Sequence, residues 1–122
     1  GILQLKESLV AFIKSNKQKI ECSIEEIHHS NKVDAPSGTA IEIKDLIKNT
    51  DHKSNINQIK INSKRIDNVF GIHKITFINE ESSIDFKHEA LSRDIYANGA
   101  IKCAMKIHNL EPNIYKFEDI IN

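Results

Sequence analysis

Glycine is scarce in this chain, and its scarcity excludes a good deal. The four glycines stand far apart, at Gly1, Gly38, Gly71 and Gly99. A nucleotide fold needs them clustered, as G-x-G-x-x-G between a strand and a helix or as the G-x-x-x-x-G-K of a P-loop. Neither spacing is available, so the chain encodes no dinucleotide domain of its own. Cysteine is nearly absent too. Cys22 and Cys103 form no C-x-x-C pair and no metal-ligand spacing. Both read as buried free thiols, which suits a reducing cytoplasm. No apolar run approaches the ~18 residues of a membrane span. The chain opens on an amphipathic helix pattern rather than on a signal peptide. An excess of charge is also missing, with 17 basic against 17 acidic side chains. That argues against nucleic acid or an anionic membrane as partner, while leaving room for a local basic pocket. Arginine occurs only at Arg65 and Arg93, against 15 lysines. In so lysine-rich a chain, an arginine hints at a site that wants a planar, forked cation.

What remains is enough for one core. The 122 residues, 39% of them hydrophobic, have the length of a single domain covering residues 1–122. Gly1 in place of a methionine points to a chain cut from a longer protein. Ile2, Leu5, Leu9, Phe12 and Ile13 step by three and four, which predicts a helix to about Ser15. Ile20, Cys22 and Ile24 alternate with polar residues and predict a strand running into His28. Ala40, Ile43, Leu46 and Ile47 mark a second helix ending near Asn49. Strands follow from Ile59, over Ile72–Ile78, and around Ile84–His88. Ile95, Ala97, Ala100, Ile101, Ala104 and Met105 give the longest helical stripe, and "YKFEDII" a short last helix. The expectation is an α+β fold with a mixed open sheet of about four strands and helices on one face. The third strand carries apolar residues of both parities, Ile72 and Ile78 against Ile75 and Phe77. An apolar second face implies a partner subunit, so that face is expected to serve oligomerisation.

One segment departs from the Ile-Lys-Asn background: "EIHHSNKVDAPSGTAIEI", Glu26 to Ile43. Ser37 or Thr39 is a natural N-cap directly before an apolar-periodic run. A helix start offers unpaired N–H groups and the positive end of the dipole, which suits a carboxylate or phosphate. Gly38 would let such a ligand approach the backbone. His28, His29 and Lys32 lie just before it. Neighbours on a strand point to opposite faces, so the two histidines do not form a metal pair, and no metal is expected. A lysine and a histidine beside a helix start suit a small acidic molecule, with the imidazole able to move a proton near neutral pH. "HEALSR" at His88 is not HExxH, and Ser37 lacks a nucleophile elbow.

The run E-x-H-H-x-x-K-x-D-A-P-S-G-T-A over residues 26–40 resembles the signature of the dihydrodipicolinate reductase family. "RIDNVFGIHKI", "HEALSRDIYANGA" and "YKFEDII" are similar to further segments of its C-terminal part, so the likeness covers essentially the whole chain. Around Arg65 the sequence "SKRIDNVFG" differs from the glycine-rich basic stretch of many members, which leaves Arg65 without a role by resemblance. The resemblance implies a substrate-binding and tetramerisation domain whose N-terminal Rossmann partner lies outside this chain. It implies NADPH or NADH as cofactor, bound mainly by that missing half, a small dicarboxylate substrate of lysine biosynthesis, a homotetramer and a cytoplasmic location. His28 would be the proton donor or acceptor and Lys32 the second catalytic group. His29, Ser37, Gly38 and Thr39 would bind substrate, and Arg93 and Tyr96 would lie on the cofactor side. The chain alone is expected to be inactive. A reading of another class is a stand-alone anion-binding or oligomerisation module without catalysis.

Overall fold

The alternation of one strand sets the architecture. In the computed structural model, which describes residues 1–121, the elements run α1 (Ile2–Ser15), β1 (Ile20–His28), α2 (Gly38–Thr50), β2 (Ile56–Arg65), β3 (Ile72–Ile78), β4 (Ser83–Glu89), α3 (Asp94–Ile107) and α4 (Phe117–Ile121). The strands form one sheet in the order β2-β1-β3-β4. β1 is parallel to β2 and antiparallel to β3, which is antiparallel to β4. The sheet is therefore mixed, and α2 is the crossover that a parallel β1–β2 pair requires. The chain divides into two compact units, Gly1–Glu89 and the segment from Ala90 onward.

In the first unit, Ile20, Cys22 and Ile24 of β1 bury one parity. Cys22 pairs with Phe77 and Ile24 with Ile75 on β3, so these residues share a face. Two helices cover it. α1 buries Leu5, Leu9 and Ile13, and α2 buries Ala40, Ile43 and Ile47, each a stripe at helical spacing. Phe12 of α1 stacks on Phe77 and Phe86 at ring-centroid distances of 4.6 and 5.5 Å. A fully buried side chain such as Leu9, Ile43 or Ile47 contributes about 1.5–3 kcal/mol over leaving it in water. β2 begins at Ile56, earlier than its alternation predicts. The Asp51 carboxylate accepts the N–H groups of Asn55 and Ile56 at 3.0 and 2.8 Å. The register then shifts between Ile20 and Cys22, an irregularity that breaks the period-two pattern.

The other face of the sheet is more polar than its isoleucines implied. Ile27, Ile72 and Ile78 are its apolar residues; between them lie ion pairs such as Glu25–Lys64 at 2.9 Å and Lys74–Asp85 at 3.6 Å. In the second unit, α3 has no buried residue, although it has the longest apolar stripe in the sequence. Lys106 Nζ donates to the Ile121 carbonyl at 3.0 Å, linking α3 to α4. The expectation of two buried thiols holds for Cys22 only. Burial pushes the Cys22 thiol up to about 12, whereas Cys103, on α3, is half-buried. The correction follows from α3 burying none of its residues.

Leu9 is fully buried and Val33 almost fully exposed. Leu9→Ala should lower unfolding stability in urea by about 2–5 kcal/mol, while Val33→Ala should change it by less than about 0.5 kcal/mol.

Candidate functional site

The parity that buries isoleucines at the start of β1 goes on to bury Glu26 and His28 at its end. The core-facing side of the sheet thus changes from hydrocarbon to polar along a single strand. Register brings the same change from both neighbours. Glu26 lies opposite His73 of β3 and Ser63 of β2, and His28 lies opposite Arg65. Glu26 is 0% exposed, Ser37 2%, His73 5% and His28 8%.

A carboxylate so deeply buried needs a counter-charge and hydrogen bonds to stay ionised. Arg65 Nη1 spans both Glu26 oxygens at 3.0 and 3.1 Å. His28 Nδ1 hydrogen-bonds Glu26 Oε2, and the Ser37 amide donates to Oε1 at 3.3 Å. Burial by itself would raise the Glu26 carboxyl. Hydrogen bonds from Ser63, His28 and Arg65, with the charge of Arg65, outweigh it and hold the group below the usual carboxylate range.

Arg65 also ties down the loop between β1 and α2. Its Nε donates to the Lys32 carbonyl at 3.3 Å, and its Nη2 to the Asp34 carbonyl. Sequence reasoning gave this residue no role beyond the hint of a forked cation. The structure supplies one: the guanidinium joins a buried carboxylate to the backbone of the chemically distinctive loop. Lys32 Nζ sits 3.0 Å from Asp34 Oδ1. That ammonium holds the exposed Asp34 carboxyl below its ordinary value.

Ser37 is the N-cap of α2, its Oγ accepting the Ala40 N–H at 3.1 Å. The same hydroxyl meets His73 Nε2 at 3.1 Å. The Ser37 side chain is therefore buried and engaged within the fold. The first-turn amides of Gly38 and Thr39 have no intrahelical acceptor. A Cβ built on Gly38 would meet nothing within 4 Å, so the backbone there is open to an approaching group. His29 lies one residue past the end of β1, and its buried Nδ1 has no hydrogen-bond partner.

His28 and the helix start thus converge on one cluster through Glu26 and Ser37. Lys32 stands on the connecting loop, and its charge reaches His73. Arg93 and Tyr96 lie in the second unit, at the start of α3. Glu26 and His73 were not singled out from sequence, yet both lie on the buried parity of their strands. Following that parity past the last isoleucine would have reached them. Among the described residues, Glu26, His28 and His73 could bring three ligand atoms within 4.8 Å of one another. A cation there would compete with Arg65 for the same carboxylate. An open cleft of about 620 Å³ lies at the opposite end of β1, lined by Gln18, Ile20, Glu21, Ile78 and Glu80; it contains no imidazole.

Fold and cluster define a class: an α+β domain in which one buried carboxylate joins the imidazole at the end of a strand to the amide end of a helix. The particular family follows from comparison. The family model described as "Dihydrodipicolinate reductase, C-terminus" matches residues 2–121, and the chain belongs to that family. It is 44% identical over 101 residues to a 4-hydroxy-tetrahydrodipicolinate reductase of Thermosipho africanus, covering 83% of this chain and 43% of the relative. It is 35% identical over 121 residues to the enzyme of that name from Bdellovibrio bacteriovorus, covering 99% and 51%. The chain spans about half the length of the curated relatives it matches. A dipicolinate-bound dihydrodipicolinate reductase from Paenisporosarcina sp. TG-14 shares the fold, with a TM-score of 0.72 at 20% identity, over 98% of this chain and 51% of that one. No helix among the described residues is long and apolar enough to cross a membrane.

Two outcomes test this electrostatic account. Arg65→Met should strand the Glu26 charge and lower urea stability by about 3–5 kcal/mol; adding Glu26→Gln to it should recover part of that loss. Burial, with the charge of His28 adding to it, pushes His73 down to about 4 from its ordinary 6.5. The folded state therefore binds fewer protons at this site than the unfolded state between those values. Its contribution is complete above about pH 6.5 and falls as pH drops towards 4, by about 1.4 kcal/mol per pH unit at most. His73→Gln should flatten that part of the stability–pH curve.

Proposed function

We propose that this chain is the substrate-binding and catalytic half of a 4-hydroxy-tetrahydrodipicolinate reductase, an NAD(P)H-dependent enzyme of lysine biosynthesis. One observation carries the reading: the His28 imidazole and the amide end of α2 hang on the same buried carboxylate, Glu26. A ligand carboxylate at the amides of Gly38 and Thr39 would then lie close to a group able to move a proton. The open space above Gly38 supports the anion site. The unpartnered Nδ1 of His29 supports a ligand contact there. In this proposal His28 exchanges the proton with the dicarboxylate heterocycle. Lys32 assists it and holds the second acidic group. Ser37 serves by setting the helix start rather than by touching the ligand.

The described residues do not fit a dinucleotide. The β1–α2–β2 crossover is parallel, but the loop opening α2 reads Ser37-Gly38-Thr39 and lacks the glycines that let a pyrophosphate approach. The nicotinamide cofactor is assigned to the half of the enzyme outside this chain, with Arg93 and Tyr96 as contacts from this side. The exposed sheet face, with Ile27, Ile72 and Ile78 set among paired charges, is assigned to a homotetramer contact. The location is the cytoplasm, in keeping with two free thiols.

The test uses dipicolinate and one glycine. Gly38→Ala places a methyl in open space, so the unfolding midpoint of the chain should stay level or rise slightly. Binding of dipicolinate, followed by calorimetry, should weaken at least about tenfold, the effect of ~1.4 kcal/mol. In the complete enzyme, His28→Ala should abolish turnover while the circular dichroism spectrum is kept. Unchanged dipicolinate binding by Gly38→Ala removes the anion site, and near-wild-type turnover by His28→Ala removes the proton donor.

A further inference from the structure

We infer that Glu26 is a positioning residue for catalysis: its buried carboxylate fixes the proton of His28 on Nδ1 and so leaves Nε2 as the nitrogen that faces the reacting molecule. The inference rests on the reductase reading for the identity of the reaction, and on geometry alone for the tautomer.

An ionised carboxylate has no hydrogen to give. Where Glu26 Oε2 meets His28 Nδ1, the imidazole must be the donor. Glu26 is kept ionised by Arg65 on both oxygens, and it takes a further hydrogen bond from the Ser37 amide. It cannot turn away without abandoning these partners in a site that water does not reach, since Glu26 is 0% exposed. Residue 28 is fixed on its other side as well. Its carbonyl accepts the Ile66 N–H at 2.9 Å, and its ring stands edge-on to His73 with centroids 5.1 Å apart. Nε2 is left with no hydrogen-bond partner among the described residues.

This arrangement has a chemical consequence. Neutral His28 presents a lone pair at Nε2 and can take a proton there. Once protonated, it gives the same proton back from the same atom while Nδ1 stays donated to Glu26. The carboxylate also stabilises the imidazolium without taking its proton. This is the role a buried acid plays beside a catalytic histidine in other enzymes. Arg65 acts one step further back. By neutralising Glu26 it keeps the carboxylate from capturing the proton, and by bonding the Lys32 and Asp34 carbonyls it fixes the loop that carries Lys32.

The tautomer can be read without substrate or cofactor. Long-range 1H–15N spectra of the histidine-labelled 122-residue chain, at a pH where the ring is neutral, should show His28 protonated at Nδ1 alone. A ring protonated at Nε2, or an averaging mixture, overturns the inference whatever the enzyme does. In the complete enzyme, Glu26→Gln should lower kcat about 10²-fold or more with KM nearly unchanged. Unchanged kcat, or a loss confined to KM, also overturns it. If Glu26→Gln does not fold, the wild-type spectrum still decides. If His28→Ala keeps turnover while the spectrum shows Nδ1–H, the proton-donor reading fails and the geometric assignment stands. If His28→Ala is dead and the spectrum shows Nε2–H, the present inference fails alone.

Discussion

Everything distinctive in the first unit depends on one buried charge pair. Glu26 lies on the central strand with apolar layers below it, and Arg65 is the last residue of the neighbouring edge strand. Burying such a pair rarely adds stability over a hydrocarbon pair of equal size, because both charges lose their water. What the pair supplies is direction. A carboxylate satisfied on both oxygens presents fixed acceptors to the imidazole and to the amide end of α2. Without Arg65 the same carboxylate would lose the counter-charge on both its oxygens, and the imidazole and the helix start would lose their common reference point.

The design is economical in its use of the pleat. A strand needs no new element to pass from core to chemistry; it needs only a change of residue type on an unchanged parity. Ile20, Cys22 and Ile24 hold helices, and Glu26 and His28 hold hydrogen bonds, along one edge of one strand. β3 makes the same change in the opposite direction, from Phe77 and Ile75 to His73. The site inherits its rigidity from the hydrophobic layer directly beneath it. This is the arrangement in which a functional group is best held to its geometry.

Local elements were legible in the sequence because local patterns encode them. The stripe Leu5-Leu9-Ile13, the cap at Ser37 and the alternation of β1 gave α1, α2 and β1 to within a residue or so. The site was only half legible. His28, His29, Lys32 and Gly38 are close together in the chain and could be read as a group. Glu26 and Arg65 meet across 39 positions, and Ser37 and His73 across 36. The first pair is set by the register of β1 on β2, which shifts between Ile20 and Cys22, and the second by where α2 starts over β3; one sequence displays neither. The start of β2 was missed for the same reason, since a bulge erases alternation. α3 is a different case. Its apolar stripe gave the helix, but α3 buries no residue, so the pattern marks a capacity for burial and not burial itself.

The hold of Arg65 on the Lys32 and Asp34 carbonyls has a consequence for how this region can vary in length. The guanidinium has a finite span, and it already reaches Glu26 at one end and the loop backbone at the other. The loop from β1 to α2 is therefore metered by a side chain. An inserted or deleted residue between His29 and Asp34 would displace the acceptors from that span, even though surface loops ordinarily tolerate such changes well. A segment that looks like ordinary connecting chain carries a ruler, and the ruler is mounted on another strand.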